Sequence, residues 1–255
     1  MNAFDLSGRS AIVVGGTSGI GRTLALGLAD AGADVVATGR RANLVEEVAA
    51  QIEARGRRSL RVAVDVGDRQ ALERLRDRCL ETFGRLDILV CAAGITKRVS
   101  TLDMTETDWT NILETNLTGT LRCCQVFGRE MVRRGSGRVI TIASLTSMLG
   151  MFEVAAYAAS KSAVAGLTRS LAVEWAPSGV TVNAILPGVF KTDLNRALLE
   201  SPRGQEFLMR TPMRRFGRVD ELVGAAVYLA SDAASFVTGH LLAVDGGFLA
   251  SGVNQ

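Results

Sequence analysis

Short apolar runs alternate with longer segments of helical periodicity along the whole chain. The runs are nearly continuous in apolar side chains, which is typical of strands that are buried on both faces of a parallel sheet. The pattern predicts strands at residues 10–14, 34–38, 60–64, 86–91, 138–143, 181–186 and 240–244. Helical patterns fill the gaps between them. We therefore predict a doubly wound α/β fold, with a seven-stranded parallel sheet and helices on both faces.

Composition supports the same picture. The chain has 255 residues, of which 47% are hydrophobic and 22% charged, and it shows no internal repeat and no linker rich in Pro, Gly or Ser. We expect one domain over residues 1–255. The net charge of +3 is small, and basic residues alternate with acidic ones, so no nucleic-acid surface is indicated.

The sequence shows no targeting, membrane or metal-binding signal. The N-terminus lacks the basic start and apolar run of a signal peptide, and no apolar run has the length of a transmembrane helix. His240 is the only histidine, which excludes histidine-rich metal sites and argues against a histidine-based catalytic triad. The cysteines have no metal-like spacing, so we expect reduced thiols, no metal and a cytoplasmic location. These cysteines are Cys79, Cys91, Cys123 and Cys124.

A helix predicted over residues 154–171 carries the first candidate chemistry. Tyr157 and Lys161 are four residues apart, so they share one face of that helix. A nearby ammonium favours the phenolate and lowers a tyrosine pKa, which makes Tyr157 a candidate proton carrier. Taken alone, the spacing also fits a core tyrosine beside a solvated lysine.

The glycine cluster that follows the first strand predicts a dinucleotide site. Glycines allow a tight turn there, and they let backbone N–H groups approach a pyrophosphate at the positive end of the next helix. A plain tight turn is the alternative, but the position directly after the first strand favours the dinucleotide. The cluster is Gly15-Gly16-Thr17-Ser18-Gly19-Ile20-Gly21.

The end of the second strand bears on which nicotinamide cofactor binds. A carboxylate there would bind a ribose 2′-hydroxyl, whereas arginine accommodates a 2′-phosphate. The chain has Arg40 and Arg41 at this point and no carboxylate, which favours NADP(H) over NAD(H). NAD(H) stays open, because these arginines also fit a solvated helix start.

Polar or small residues follow the other strands, at the edge where doubly wound sheets bind ligands. Each also fits an ordinary turn or cap. Asn116, before Gly119 in a helical pattern over residues 105–134, is unfavourable by helix propensity and suggests another role. The candidates at strand ends are Asp65 and Val66, Ala92, Ala93 and Gly94, Ser144, and Pro187, Gly188, Val189 and Thr192.

The order and spacing of these motifs over nearly the whole chain resemble the short-chain dehydrogenase/reductase family. The resemblance implies a seven-stranded Rossmann sheet, a nicotinamide cofactor and a homotetramer built partly through the two long helices. It implies that Tyr157 exchanges a proton with the substrate and that Lys161 binds the ribose hydroxyls. It further implies that Ser144 orients the substrate oxygen and that Asn116 holds a water linking Lys161 to solvent.

Two positions depart from the family pattern. Val14 stands where threonine is usual before the phosphate loop, and Cys91 stands where asparagine is usual. The lost side-chain hydrogen bonds could loosen the loop or the central sheet locally. Neither position touches the reacting atoms.

Basic residues near the expected nicotinamide bear on the substrate. Lys97 and Arg98 follow the turn after the fourth predicted strand, and they could bind a substrate carboxylate beside Ser144 and Tyr157. Solvated surface charge is the alternative for each. Residues 193–215 are placed to form a mobile lid. The lid contains Arg196, Arg203, Arg210, Arg214 and Arg215.

Within the family, residues 94–99 and 210–217 are most similar to gluconate 5-dehydrogenases and related sugar-acid dehydrogenases. The resemblance implies NADP-dependent hydride transfer at a secondary alcohol or ketone of a sugar acid such as gluconate or 5-ketogluconate. A 3-oxoacyl-[acyl-carrier-protein] reductase and a reductase of another small carbonyl compound stay open. A non-catalytic dinucleotide-binding module that senses redox state is the alternative from another functional class.

Overall fold

A parallel sheet forms the centre of the computed structural model, which describes residues 3–192 and 199–252. Within these residues it has six strands in the order β2-β1-β3-β4-β5-β6. Their bounds lie within two residues of six predicted strands, which confirms those predictions. The strands are β1 (Ser10–Val14), β2 (Asp34–Thr38), β3 (Ile88–Cys91), β4 (Gly137–Ile142), β5 (Val180–Pro187) and β6 (Leu241–Val244).

The strand predicted at residues 60–64 is absent, so the seven-stranded sheet is wrong and the described sheet has six strands. The segment runs beside β2 and is bonded to it, but irregularly. Val64 N–H donates to the Gly39 carbonyl at 3.0 Å, whereas the Val62 carbonyl accepts from the Thr38 hydroxyl at 2.6 Å. A side-chain hydroxyl there meets a carbonyl that a regular ladder would pair with a backbone N–H.

Helices cover both faces of the sheet, as predicted. Successive residues of β1 point to opposite faces: Val13 packs in the cluster that contains α1, α2 and α8, and Ile12 in the cluster that contains α3 and α5. Burial on both faces explains why these strands are continuous in apolar residues. The helices are α1 (Gly19–Asp30), α2 (Ala42–Glu53), α3 (Arg69–Phe83), α4 (Glu106–Leu113), α5 (Gly119–Arg134), α6 (Ala155–Trp175), α7 (Pro202–Arg210) and α8 (Val223–Ala230).

The helix predicted over residues 105–134 is interrupted. A π-helical turn at Glu114–Thr118 separates α4 from α5 and carries the fully buried Asn116 at its centre. π-turns inside α-helices are often found at functional sites. The polar residue that is unfavourable by propensity therefore marks a real irregularity of the backbone.

The strand order places a crevice where the parallel sheet reverses its direction of growth. β1 lies between β2 and β3, so the turns after β1 and β3 leave the sheet side by side. In open α/β sheets this switch point at the carboxyl edge is where ligands bind. No helix of the described residues has the length and apolarity to cross a membrane, and no group of three or more ligating side chains among them could hold a metal ion.

Candidate active site

The glycines after β1 are required for different structural reasons. Gly15 has a φ of 83°, and a Cβ there would lie 2.4 Å from Ala93 N in the turn after β3. A Cβ on Gly21 would lie 2.1 Å from the Gly15 carbonyl oxygen, so both positions need glycine for packing. Gly19 has a φ of 51° and faces open space. The loop therefore forms a cradle with a bare backbone on its open side, which fits a pyrophosphate.

The positive end of α1 adds an anion preference to this cradle. Ser18 is its N-cap residue, and within the described residues its side chain makes no capping bond; the first turn carries no acidic residue. The first N–H groups of a helix lack intrahelical partners and attract anions. Arg41 Nη2 donates to Ser18 Oγ at 3.1 Å. Both Arg40 and Arg41 are exposed, and Arg41 is the one in contact with the glycine loop.

The turn that holds Asp65 explains this aspartate in structural terms. Asp65 Oδ1 accepts from Gly67 N–H at 2.8 Å, so the carboxylate caps its own turn. Val66 is buried, and a Cβ on Gly119 would lie 2.7 Å from its Cγ2, so the start of α5 packs closely here. The predicted role of Asp65 and Val66 in binding adenine stays a prediction.

Asn116 joins the turn after β3 to α6. Its Oδ1 accepts from Ile95 N–H at 2.8 Å, and its Nδ2 donates to the Ile95 carbonyl at 2.9 Å and to Ser160 Oγ at 3.0 Å. A Cβ on Gly94 would lie 3.4 Å from Asn116 Oδ1 and 3.5 Å from Lys161 Nζ. The structure therefore brings Gly94, Asn116 and Lys161 together. The water expected at Asn116 stays a prediction.

Lys161 is a buried cation at the edge of the sheet. Its side chain passes Tyr157, with Nζ 5.7 Å from the ring centroid, and Nζ donates to the Ile142 carbonyl at 2.7 Å. Only 5% of the residue is exposed. Burial penalises the ammonium and lowers the pKa of Lys161 to about 8.

The pKa of Tyr157 moves in the opposite direction from the prediction. Burial raises the pKa of Tyr157, and a hydrogen bond with the Ser144 side chain counteracts part of that rise. The predicted lowering by Lys161 is therefore wrong for this structure. The ammonium lies beside the ring and is bonded to a backbone carbonyl, whereas desolvation of the phenolate dominates.

The segment after β4 holds Ser144 next to Tyr157 through bonds that the sequence does not reveal. Ser144 Oγ accepts from Thr146 N–H at 3.1 Å, which shapes a short 3-10 turn, and Ser147 Oγ donates to the Lys161 carbonyl at 2.8 Å. Ser160 Oγ donates to the Tyr157 carbonyl at 2.7 Å. Sequence reasoning missed Ser160 and Ser147. The only signal was a hydroxyl inside the Tyr-x-x-x-Lys spacing.

The two departures from the family pattern lie in apolar surroundings. Val14 is 1% exposed and Cys91 is 4% exposed. Hydrogen bonds with the thiols of Cys123 and Cys124, together with burial, raise the pKa of Cys91. All four cysteines are free thiols, as expected. A raised pKa keeps Cys91 in its unreactive thiol form.

The basic residues after β3 are paired with carboxylates. Lys97 Nζ lies 2.7 Å from Asp108 Oδ2, and Arg98 Nε lies 2.5 Å from Glu153 Oε2. Both basic side chains stay about half exposed, at 51% and 55%. Each could therefore still reach a ligand, and their role in binding substrate stays a prediction.

The turn after β5 closes the other side of the crevice. A Cβ on Gly188 would lie 2.6 Å from Asp245 Cα, so the chain passes tightly there after Pro187. Gly217 N–H donates to the Val189 carbonyl at 2.9 Å, and Lys191 N–H donates to the Gly217 carbonyl at 3.0 Å. The predicted lid spans residues 193–215, and its first part, residues 193–198 with Arg196, lies outside the described residues. The helix α7 forms much of the rest, and its role as a lid stays a prediction.

These groups can perform proton exchange next to a nucleotide cradle. Ser144 and Tyr157 present hydroxyls beside a buried ammonium, and the glycine turns of β1 and β3 border the same crevice. A substrate hydroxyl or carbonyl oxygen placed there could exchange a proton with the phenol of Tyr157. The residues present fit a dinucleotide, because a bare backbone and an anion-attracting helix end coincide.

Comparison with known proteins supports the same assignment. A family model described as enoyl-(acyl carrier protein) reductase matches residues 14–249. The chain is 42% identical over 251 residues to the 2-dehydro-3-deoxy-D-gluconate 5-dehydrogenase of Bacillus subtilis, covering 97% of each chain. It is 39% identical over 249 residues to the gluconate 5-dehydrogenase of Gluconobacter oxydans, again covering 97% of each.

A solved structure is similar over nearly its whole length. The crystal structure of a gluconate 5-dehydrogenase from Burkholderia cenocepacia, in complex with NADP and tartrate, superposes with a TM-score of 0.94 at 38% identity, covering 98% of this chain and 99% of that one. Motifs, fold and relatives agree, and the chain belongs to the short-chain dehydrogenase/reductase family of oxidoreductases.

Proposed function

We propose that this protein is an NADP-dependent oxidoreductase that interconverts a secondary alcohol and a ketone on a sugar acid, with gluconate and 5-ketogluconate as the representative pair. The observation that carries the proposal is the placement of Ser144, Tyr157 and Lys161 beside the glycine cradle of the crevice. Relatives named as gluconate and 2-dehydro-3-deoxy-D-gluconate 5-dehydrogenases, about 40% identical over nearly the full chain, supply the substrate class.

In alcohol oxidation, Ser144 orients the substrate hydroxyl by a hydrogen bond, and Tyr157 accepts the hydroxyl proton as the carbonyl forms. A bound nicotinamide supplies the acceptor for the hydride that leaves the carbinol carbon. Burial keeps the Tyr157 pKa high, so the phenol stays protonated and carries the proton that ketone reduction requires. Lys161, held by the Ile142 carbonyl, places a positive charge beside the ring and would bind the ribose hydroxyls.

Two features support NADP(H) as the cofactor. Arg41 contacts Ser18 of the glycine loop, and Arg40 precedes it in the chain. The end of β2 carries no carboxylate that would repel a 2′-phosphate. The Burkholderia relative was solved with NADP. The proposed cofactor residues are Gly15, Thr17, Ser18, Gly19, Ile20, Gly21, Arg40, Arg41, Asp65, Val66, Ala92, Ala93, Gly94, Tyr157, Lys161, Pro187, Gly188, Val189 and Thr192.

The remaining expectations belong to the same proposal. The chain acts as one domain, in the cytoplasm, where its four free thiols stay reduced. It assembles as a homotetramer. Its substrate residues are Ser144 and Tyr157 at the reacting oxygen, with Lys97 and Arg98 at the carboxylate.

The test is turnover of sugar acids by the purified protein, read by absorbance of the reduced nicotinamide. We expect oxidation of gluconate with NADP, and reduction of 5-ketogluconate with NADPH, at rates that Tyr157→Phe lowers by a factor of about 10³ or more. NADPH binding should be retained in Tyr157→Phe, because the ring, its packing and the other proposed cofactor residues are kept.

Two outcomes would contradict this function. Turnover of acetoacetyl thioesters with NADPH, but of no sugar acid, would identify a 3-oxoacyl reductase. Undiminished turnover in Tyr157→Phe would point to another proton donor. Tyr228→Phe is the matched control: it changes the other tyrosine of the chain, on α8, and should leave turnover as it is.

A further inference from the structure

Glu153 combines an unusual backbone with a position close to the catalytic residues. Its φ of 64° lies in the left-handed region, which glutamate rarely adopts. It precedes the first residue of α6 by two positions and Tyr157 by four. Such strain persists only where surrounding contacts maintain it, and it is concentrated at functional sites.

The contacts of Glu153 connect three elements. Its Oε2 accepts from Arg98 Nε at 2.5 Å, and its carbonyl oxygen accepts from Val99 N–H at 2.9 Å. Directly before it, the Phe152 carbonyl accepts from Arg203 Nη2 of α7 at 2.9 Å. The loop after β3, the segment before α6 and the helix α7 therefore meet at Phe152 and Glu153.

The Arg98–Glu153 pair uses only one edge of the guanidinium. Glu153 bonds to Nε, and no hydrogen-bond partner of Arg98 Nη1 or Nη2 exists within residues 3–192 and 199–252. The Arg98 side chain is 55% exposed, whereas Glu153 is 26% exposed. The two Nη groups form the fork that binds a carboxylate with two parallel hydrogen bonds.

Resting on the proposed function, we propose that Glu153 is a positioning residue that fixes Arg98 by its Nε edge and directs the Nη fork at the substrate carboxylate. Glu153 itself does not touch the substrate. An arginine side chain loses rotamer freedom when it binds a ligand, and a partner that already holds it lowers that cost. Glu153 thereby sets the preference for a sugar acid over a neutral polyol.

The test compares a charged substrate with a neutral one in matched variants. D-gluconamide keeps the hydroxyls of gluconate and replaces the carboxylate by an amide. We expect Glu153→Ala to raise the KM for gluconate about three- to tenfold, with kcat and the KM for gluconamide unchanged. Glu153→Gln should stay within about twofold of the wild type, because its amide oxygen still accepts from Nε.

Two further variants separate positioning from a general structural role. Arg98→Met should raise the KM for gluconate, and adding Glu153→Ala to it should have no additional effect, because the two residues act as one unit. Glu130→Ala removes the carboxylate of another ion pair, with Arg133 on α5, and should leave both KM values unchanged. Equal KM changes for gluconate and gluconamide, a fall in the KM for gluconate, or full additivity with Arg98→Met would overturn the proposal.

A binding measurement separates this proposal from the proposed function. Calorimetric titration of the NADP complex with tartrate, a small hydroxylated dicarboxylate, reports carboxylate binding without turnover. Weaker binding in Glu153→Ala but not in Glu153→Gln supports the positioning role even if no sugar acid is oxidised. Normal turnover of gluconate with unchanged tartrate affinity and unchanged KM in Glu153→Ala overturns the positioning role and leaves the proposed function intact.

Discussion

At the scale of single residues, the site depends on charges and hydroxyls held away from water. Lys161 is 5% exposed, and its ammonium has the Ile142 carbonyl as its hydrogen-bond partner within the described chain. Burying an ammonium with one neutral partner is unfavourable, so this lysine costs stability in its charged form. Such a cost is expected where function requires the cation, here beside the Tyr157 ring.

The cost has a definite pH dependence. The pKa of Lys161 falls from 10.5 to about 8 on folding, so between these pH values the unfolded chain binds more protons than the folded one. Stability therefore rises with pH in this window, and below pH 8 the full cost is present. We expect the free energy of unfolding of the wild type to rise relative to Lys161→Met by on the order of 3 kcal/mol between pH 7.5 and 10.5. Urea denaturation of both proteins measures this, and a difference independent of pH would contradict it.

At the scale of elements, the π-turn between α4 and α5 delivers Asn116 to the crevice. The wider turn places one side chain against three partners: the N–H and carbonyl of Ile95 and the hydroxyl of Ser160. These hydrogen bonds connect the π-turn to the loop after β3, through Ile95, and to α6, through Ser160. A single amide thus bonds the turn at Ile95 to Ser160, the residue directly before Lys161.

Removing that amide should disturb stability and activity together. Asn116→Ala removes the three hydrogen bonds that this fully buried amide makes with Ile95 and Ser160, and we expect a loss of about 2–4 kcal/mol of stability. The kcat should fall as well, because the turn at Ile95 loses its bond to the helix that carries Tyr157 and Lys161. Asn111→Ala, at an exposed position of α4, is the control and should change stability by less than about 0.5 kcal/mol. Equal stability of the two variants, measured by urea denaturation, would argue against this role of Asn116.

At the scale of the whole molecule, the described surface has apolar features that suit association of copies. Trp109 on α4 is 40% exposed and Val173 on α6 is 78% exposed. β6 forms one edge of the described sheet, with one side of its backbone unpaired by any described strand. Sheet edges and exposed apolar side chains of this kind are commonly covered by partners.

The proposed homotetramer can be tested by measuring the mass of the protein in solution. Light scattering coupled to size-exclusion chromatography should give about four times the chain mass of 27.0 kDa. The result should hold at high salt, because the exposed residues concerned are apolar and a hydrophobic interface is not weakened by screening. A mass equal to one chain would contradict the proposal.

The sequence by itself determined the parallel sheet, the order of its motifs and the helix that Tyr157 and Lys161 share. Strands buried on both faces must be continuously apolar, and helical neighbours must be four apart, so local patterns carry both signals. The segment at residues 60–64 looked like such a strand, but its pairing depended on where Thr38 of β2 placed its hydroxyl.

Only the tertiary structure decided the features that depend on distant partners. The rise in the Tyr157 pKa comes from burial by the whole fold, which outweighs the neighbour that the sequence places four residues away. The role of Glu153 depends on Arg98, 55 residues earlier, and on a backbone conformation that no local propensity favours. Local spacing reports which groups can share a face, whereas desolvation and long-range pairing arise only when the chain is packed.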